Sequence, residues 1–158
     1  MRRNDREVTD IQEIRALIDE CKVIRLAMID GDKPYVVPLN FGYTYENGAF
    51  TFYFHGAKEG KKLDVIRKNA SVAFEMDCQN ALQHGETACT HSYYYASVLG
   101  EGKAEILEGD EKCKGLSALM LHMAGRNDVF TAEMADKVAV IAIRVDTLTA
   151  KKRPQPMQ

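Results

Sequence analysis

The sequence predicts a mainly β single domain, a small antiparallel barrel with two or three peripheral helices. Three observations carry this. Strand-like runs follow one another without intervening helical segments, which excludes a doubly wound parallel sheet. Short turn signals separate the first of these runs, so their pairing is antiparallel. Helical periodicity is confined to three separate stretches. The 158 residues amount to about one domain. Such a chain buries roughly two-thirds of its unfolded surface. Prolines occur only at 34, 38, 154 and 156, so no linker divides it, and residues 1–9 and 152–158 read as loose tails.

The first element is an amphipathic helix with Ile11, Ile14, Leu17, Ile18 and Cys21 on one face. Asp10 is its N-cap, with Glu13 three residues on as in a capping box. The period then changes. Val23 to Ile29 is a β-rich run, residues 30–34 have turn chemistry, and Tyr35 to Tyr45 is extended. Asn47-Gly48 offers the pair that type I′ hairpins favour and leads into the strand Ala49 to His55. A short polar helix follows from about Lys58 to Lys68, with Leu63 and Ile66 facing inward. Ser71 to Met76 is a strand and Asp77 to Ser92 a long polar loop. Strands are expected over Tyr93–Leu99 and Gly102–Leu107. A helix then carries Cys113, Leu116, Leu119, Met120 and Met123 on one side. The run Val138 to Val145 is apolar enough for a central strand.

Composition excludes several functions. Lys and Arg number 21 against 23 Asp and Glu, a net charge of −2, so no basic footprint for nucleic acid is present. The longest apolar run, Val138 to Ile143, is far short of the roughly 20 residues that span a bilayer. No apolar signal segment follows the charged N-terminus, and Cys21, Cys78, Cys89 and Cys113 show no paired spacing. The expectation is a cytoplasmic protein with reduced thiols, with no membrane or nucleic-acid partner. Cys78, His84, Glu86, Cys89 and His91 share one segment but lack the spacing of a structural zinc site, so no metal is assigned.

One stretch carries most of the chemistry. From His55 through Gly56 and Ala57 to Lys58, Gly60, Lys61 and Lys62, a strand ends in histidine and a helix begins among lysines. A helix start favours acidic residues, because its free N–H groups are partly positive. Lysines there fit a bound anion such as phosphate, or else a solvated basic helix start. A second feature is Val37-Pro38-Leu39-Asn40. Proline removes a ladder donor, so this segment is an edge strand, or a disturbed one whose free backbone groups face a planar ligand.

Three segments together, Tyr35 to Gly42, Phe52 to Leu63 and Tyr95 to Ala104, resemble the flavin-binding split-barrel superfamily that includes pyridoxamine 5′-phosphate oxidase. The His55-Gly-Ala-Lys-Glu-Gly-Lys-Lys-Leu63 string is most similar to the branch of 5-nitroimidazole resistance (Nim-type) proteins. The resemblance implies a six-stranded antiparallel Greek-key split barrel that forms a homodimer, with FMN at the subunit interface. It implies that Lys61 and Lys62, with Lys58 nearby, hold the FMN phosphate. It places the backbone of Val37, Pro38, Leu39 and Asn40 against the flavin ring, Ser97 at a polar flavin contact, and His55 beside the flavin as the catalytic residue. The sequence ends soon after its last strand, without the Arg- and His-bearing segment with which the oxidases grip pyridoxal phosphate, which disfavours vitamin B6 oxidation.

The function expected is that of an FMN-dependent oxidoreductase reducing a small planar acceptor, such as a nitroimidazole. Neither a Rossmann fingerprint nor a Walker motif is present, so NAD(P)H, if it is the donor, has to use the flavin cleft. The alternative is a non-catalytic protein that stores or senses FMN.

Overall fold

The computed structural model describes residues 3–155. Helix α1 (Ile11–Glu20) forms where expected: the Asp10 carboxylate accepts from the Glu13 N–H at 2.9 Å, and Ile14, Leu17 and Ile18 are buried. The reciprocal half of the capping box is not made, because the Glu13 carboxylate pairs with Lys152. Strands β2 (Ile24–Asp30) and β3 (Lys33–Leu39) form a hairpin through Gly31 and Asp32. Strands β4 (Gly42–Glu46) and β5 (Ala49–Gly56) form a second hairpin, in which Asn47 (φ 52°) and Gly48 (φ 80°) are the left-handed pair of a type I′ turn. Then come α2 (Lys61–Lys68), β6 (Ser71–Gln83), β7 (Ser92–Ile106), α3 (Gly109–Ala124), the single turn α4 (Ala132–Ala135) and β8 (Ala139–Arg153). A two-residue strand, β1 (Glu7–Val8), pairs with the far end of β8.

All pairing is antiparallel, in the order β3-β2-β6-β7-β8-β5-β4. The fold is the split barrel, with eight strands among the described residues rather than six. Its first two hairpins do not pair with each other. They occupy opposite edges of the sheet, yet only Asn40 and Phe41 connect β3 to β4. Three Cα steps at 3.8 Å reach about 11 Å at most. The sheet must therefore curl until its edges nearly meet, and the unbonded gap between β3 and β4 is the split.

Two apolar clusters hold this shape. Inside the curl lie Ile18, Ile24, Leu26, Phe52, Phe54, Phe74, Met76, Val98, Ile141 and Ile143. Outside, under α3 and α4, lie Tyr53, Leu107, Leu116, Ala118, Ala135, Val140 and Ala142. Alternate residues of β8 serve the two clusters, which is why its sequence is apolar throughout.

Several expectations are corrected. The polar segment 77–92 is a loop only over residues 84–91: β6 runs to Gln83 and pairs with β7 down to Gln83–Ser92, past an irregularity between Cys78 and Ala81. The strands expected at 93–99 and 102–107 are one strand with a bulge at Glu101/Gly102. The ends are not loose throughout, since β1 covers residues 7–8 and β8 reaches Arg153; residues 1–2 and 156–158 lie outside the described ones. Among the described residues no helix is long and apolar enough to cross a membrane.

The seam is closed by contact. Phe41 is fully buried, its ring 4.4 Å from that of His122 and 5.7 Å from that of Phe52. The His122 side chain is 3% exposed. Its Nε2 lies 2.8 Å from the Cys21 carbonyl. Next to Phe41, Gly42 lies directly on the α3 backbone. A Cβ there would come within 2.3 Å of Leu119 N and Cα. Gly42→Ala must push α3 off the sheet and is expected to destabilise the fold by about 3 kcal/mol or more, measured by urea denaturation.

Burial pushes the His122 pKa down, with Lys22 adding to the shift, against the opposing pull of the Cys21 carbonyl and Asp19. The unfolded chain then takes up a proton near the ordinary value of about 6.5 while the native state does not. Stability accordingly falls as pH drops through that value and stops falling once the native imidazole also protonates. Urea midpoints at pH 7.5 and 5.5 are expected to differ less for His122→Gln than for the wild type.

Candidate functional site

Helix α2 starts at Lys61, so Lys58 belongs to the preceding turn. Gly60, at φ 139°, takes a backbone conformation that side-chain-bearing residues rarely adopt. Its carbonyl accepts from Leu63 N–H at 2.9 Å and from Asp64 N–H at 3.3 Å. No side chain caps the helix, and among the described residues the Lys61 and Lys62 N–H groups have no backbone partner. The start of α2 thus presents free donors and positive dipole to whatever approaches.

The two lysines differ. Lys61 Nζ is 2.9 Å from the Asp30 carboxylate and 4.6 Å from the centroid of the Tyr35 ring. This hydrogen-bonded pair raises the Lys61 pKa and lowers that of Asp30. Lys62 is half-buried and has no carboxylate within ion-pair distance among the described residues. Loss of solvent pushes its pKa down. A cleft of about 260 Å³ opens here, lined by Tyr35, Val37, Glu59, Gly60, Lys61 and Lys62, with Ala57 and Leu63 completing it.

Strand β3 forms the neighbouring wall. It pairs only with β2, so it is an edge strand, and it is regular rather than disturbed. Val37 and Leu39 are half-buried against the interior, and Pro38 and Asn40 are exposed. Pro34 and Pro38 cannot occupy hydrogen-bonded pairs with β2, and alternation puts Val36 in the same class. The free edge therefore offers the carbonyls of 34, 36 and 38 and a single donor, Val36 N–H. The Asn40 amide is engaged, donating to the Lys22 carbonyl at 2.9 Å.

His55 is exposed and belongs to a separate, largely apolar cleft of about 240 Å³ with Leu116, Leu119, Met120, Phe130, Met134 and Val138. Phe54 points into the barrel and His55 to the other face of β5. Lys62 Nζ lies 3.3 Å from a Cβ built on Gly56. Adding that Cβ bond and one Cα step puts the ammonium within about 9 Å of the His55 Cα. The two clefts flank the same end of β5.

The fold thus gathers Val37, Lys61 and Lys62 and sets His55 alongside. Lys58 turns to the opposite flank of α2, 3.8 Å from Asp136. Ser97 stands apart. It pairs with Asp77 and Lys151, six residues along β7 from Lys103, which faces Ser71 just beyond the end of α2, or roughly 20 Å at 3.3 Å per residue. Its hydroxyl is buried and has no hydrogen-bond partner among the described residues. Sequence reading missed Asp30, Tyr35 and Glu59. Tyr35 shares the parity of Val37 and Leu39 and was legible by alternation, whereas the Asp30–Lys61 pair exists only through the fold. Among the described residues no three His, Cys, Asp or Glu side chains gather as metal ligands. The His84 and His91 rings are 6.0 Å apart, with His91 Nδ1 3.0 Å from the Thr87 carbonyl. A wider cavity of about 550 Å³ lies on the far flank, between α1, β4 and α3. Contacts within its own lining engage several of its polar groups: Tyr43 donates to Asp19 at 2.8 Å, and Lys22 to the His122 carbonyl at 3.0 Å.

Comparison with known proteins gives concordant results. The sequence profile of the pyridoxamine 5′-phosphate oxidase family matches residues 10–152. No curated protein matches by sequence. A candidate 5-nitroimidazole antibiotic resistance protein from Bacteroides thetaiotaomicron superposes with a TM-score of 0.77 at 29% identity, covering 92% of this chain and 86% of that one. A FAD and heme binding protein from Mycobacterium smegmatis gives 0.78 at 18% identity, with 97% and 76% covered. The flavocytochrome Anf3 from Azotobacter vinelandii gives 0.77 at 18%, with 99% and 73% covered. The last two similarities speak to the fold alone.

An ammonium desolvated without a counter-charge is a cost to the free protein. Lys62→Met, which keeps the aliphatic bulk, is expected to raise the thermal midpoint of the ligand-free protein by about 2 °C or more. Scanning calorimetry checks this.

Proposed function

Because the chain belongs to the pyridoxamine 5′-phosphate oxidase family, we propose that it is an FMN-dependent oxidoreductase of the Nim-type branch, reducing a small planar acceptor. The observation that carries this is Lys62: a half-buried cation without a carboxylate partner, at a helix start whose N–H groups are free. A phosphate dianion satisfies both at once. The Tyr35 ring and Val37 beside it suit the apolar part of a flavin, and the free edge of β3 supplies carbonyls and the Val36 N–H for a polar ring edge.

The residues present fit the phosphate end of a flavin. The 260 Å³ cleft is smaller than the roughly 300–1,000 Å³ typical of a site enclosing a whole small molecule. A homodimer, in which a second copy walls the ring, supplies the missing enclosure and gives the exposed edge of β3 a partner. Flavin, once bound, supplies two-electron transfer between a donor such as NAD(P)H and the acceptor. The protein's part is to bind and orient. His55, at the mouth of an apolar cleft, is placed to hold an acceptor and pass it a proton from a ring nitrogen. The four unbridged cysteines suit a reducing, cytoplasmic setting.

FMN and FAD titrations by flavin fluorescence test the cofactor. Loss of two charge-assisted contacts in Lys61→Ala/Lys62→Ala is expected to weaken FMN binding at least about 100-fold. Asp30→Asn, which frees Lys61, is expected to tighten it. Unchanged FMN affinity in the double variant would overturn the assignment, and a preference for FAD would correct the cofactor. NADPH-driven bleaching followed by reoxidation with a nitroimidazole tests the activity; His55→Ala is expected to slow reoxidation with FMN affinity retained. Binding without donor-driven reduction would identify a storage protein instead.

A further inference from the structure

Lys112 is unexplained by any of this. It lies in the first turn of α3, yet the residue is only 6% exposed. Among the described residues its Nζ makes no hydrogen bond. The carboxylate oxygen in reach, Asp136 Oδ1, is 3.7 Å away on a side chain 76% exposed. That same oxygen is shared with Lys58, at 3.8 Å. One solvated carboxylate thus faces two ammonium groups at distances too long for hydrogen bonding. Such a group is expensive to bury unless something else pairs with it.

The space around it is a cavity of about 300 Å³ between α2, the start of α3 and the α4–β8 junction. Its apolar floor is Leu63, Leu107 and Val138, and its polar groups are Lys58, Arg67, Lys112, Glu108 and Asp136. Arg67 is held by Asp64 at 3.0 Å. Lys58 and Lys112 therefore lack a full partner, at the rim of a pocket with an apolar base. Leu63 separates this cavity from the Lys62 cleft, so the two lie on opposite flanks of α2.

We infer that this cavity is a second anion site, and that it binds the phosphate group of a phosphorylated organic ligand. Lys112 and Lys58 take the phosphate oxygens, and the apolar floor takes the adjoining carbon skeleton. Asp136 is the carboxylate within reach of both ammonium groups and Glu108, exposed, also lines the cavity; two ammonium groups without a hydrogen-bonded carboxylate favour a dianion over a carboxylate. Lys58 is the one residue it takes from the lysines that the resemblance gave to flavin, and Leu63 lines both cavities. Lys112 and the rest of the lining are separate from the flavin cleft, and the site does not depend on that assignment.

The test removes the first site so that it cannot answer for the second. In Lys61→Ala/Lys62→Ala protein, inorganic phosphate, pyrophosphate, NADH and NADPH are titrated by calorimetry. At least one phosphate-bearing probe is expected to bind with one-to-one stoichiometry, and adding Lys112→Met is expected to weaken it tenfold or more. Adding Lys58→Ala instead, a change at an exposed position, is expected to weaken it severalfold. NADPH binding more tightly than NADH, with the difference lost in Lys112→Met, identifies a nucleotide 2′-phosphate as the source. Inorganic phosphate binding as tightly as either nucleotide identifies the free ion. The inference is overturned if no probe saturates in the double variant, or if both lysine substitutions leave affinity unchanged.

Discussion

Two residues between β3 and β4 decide the architecture. A sheet whose opposite edges are joined by Asn40 and Phe41 alone cannot lie flat, and every other feature accommodates that closure. Curling encloses the phenylalanines of β5 with Phe74 and Ile141. It also brings the end of β2, with Asp30, beside the start of α2. Phe41 fills the seam, His122 covers Phe41, and the missing side chain of Gly42 lets α3 sit against the sheet. The seam is thus fixed by packing and by the absence of one carbon atom rather than by ladder hydrogen bonds.

The charges around α2 are arranged against stability. Lys62 on one flank and Lys112 on the other are partly or wholly removed from water without adequate counter-charge, while surface pairs such as Arg144–Glu105 are fully matched. Exposed pairs of that kind contribute little to folding. Unmatched buried cations detract from it, and their presence on both sides of one short helix is what ligand binding requires of a free protein. Asp30 moderates this on one side by neutralising Lys61, and any anion entering that cleft competes with it.

Much of this was legible in the sequence where the cause is local. The Asp10 cap, the Asn47-Gly48 turn, the two-faced apolar run of β8 and the lysines after Gly60 follow from residues within a few positions of one another. What escaped depends on distance. The end of β6, from Asp77 to Gln83, looks like part of a loop because its sequence is mostly polar; only the pairing of Leu82 with Tyr93 and its neighbours makes it a strand. Lys58 looked equivalent to Lys61 until the helix start separated them. The surroundings of Lys112, with Lys58, Leu63, Asp136 and Val138 about one cavity, come from segments far apart in the chain. That His55 opens into a cleft of its own beside the lysines, on the other face of β5, follows from the alternation of β5 and from the packing of α3 and α4.

The prolines of β3 have a consequence for the company this protein keeps. A bare strand edge invites any unfolded chain to extend the sheet, and the resulting templating is a route to aggregates. With Pro34 and Pro38 in the outward positions, a newcomer finds one amide hydrogen where a full strand offers three. Strangers cannot zip onto this border, so whatever docks along it must be recognised by its shape and side groups.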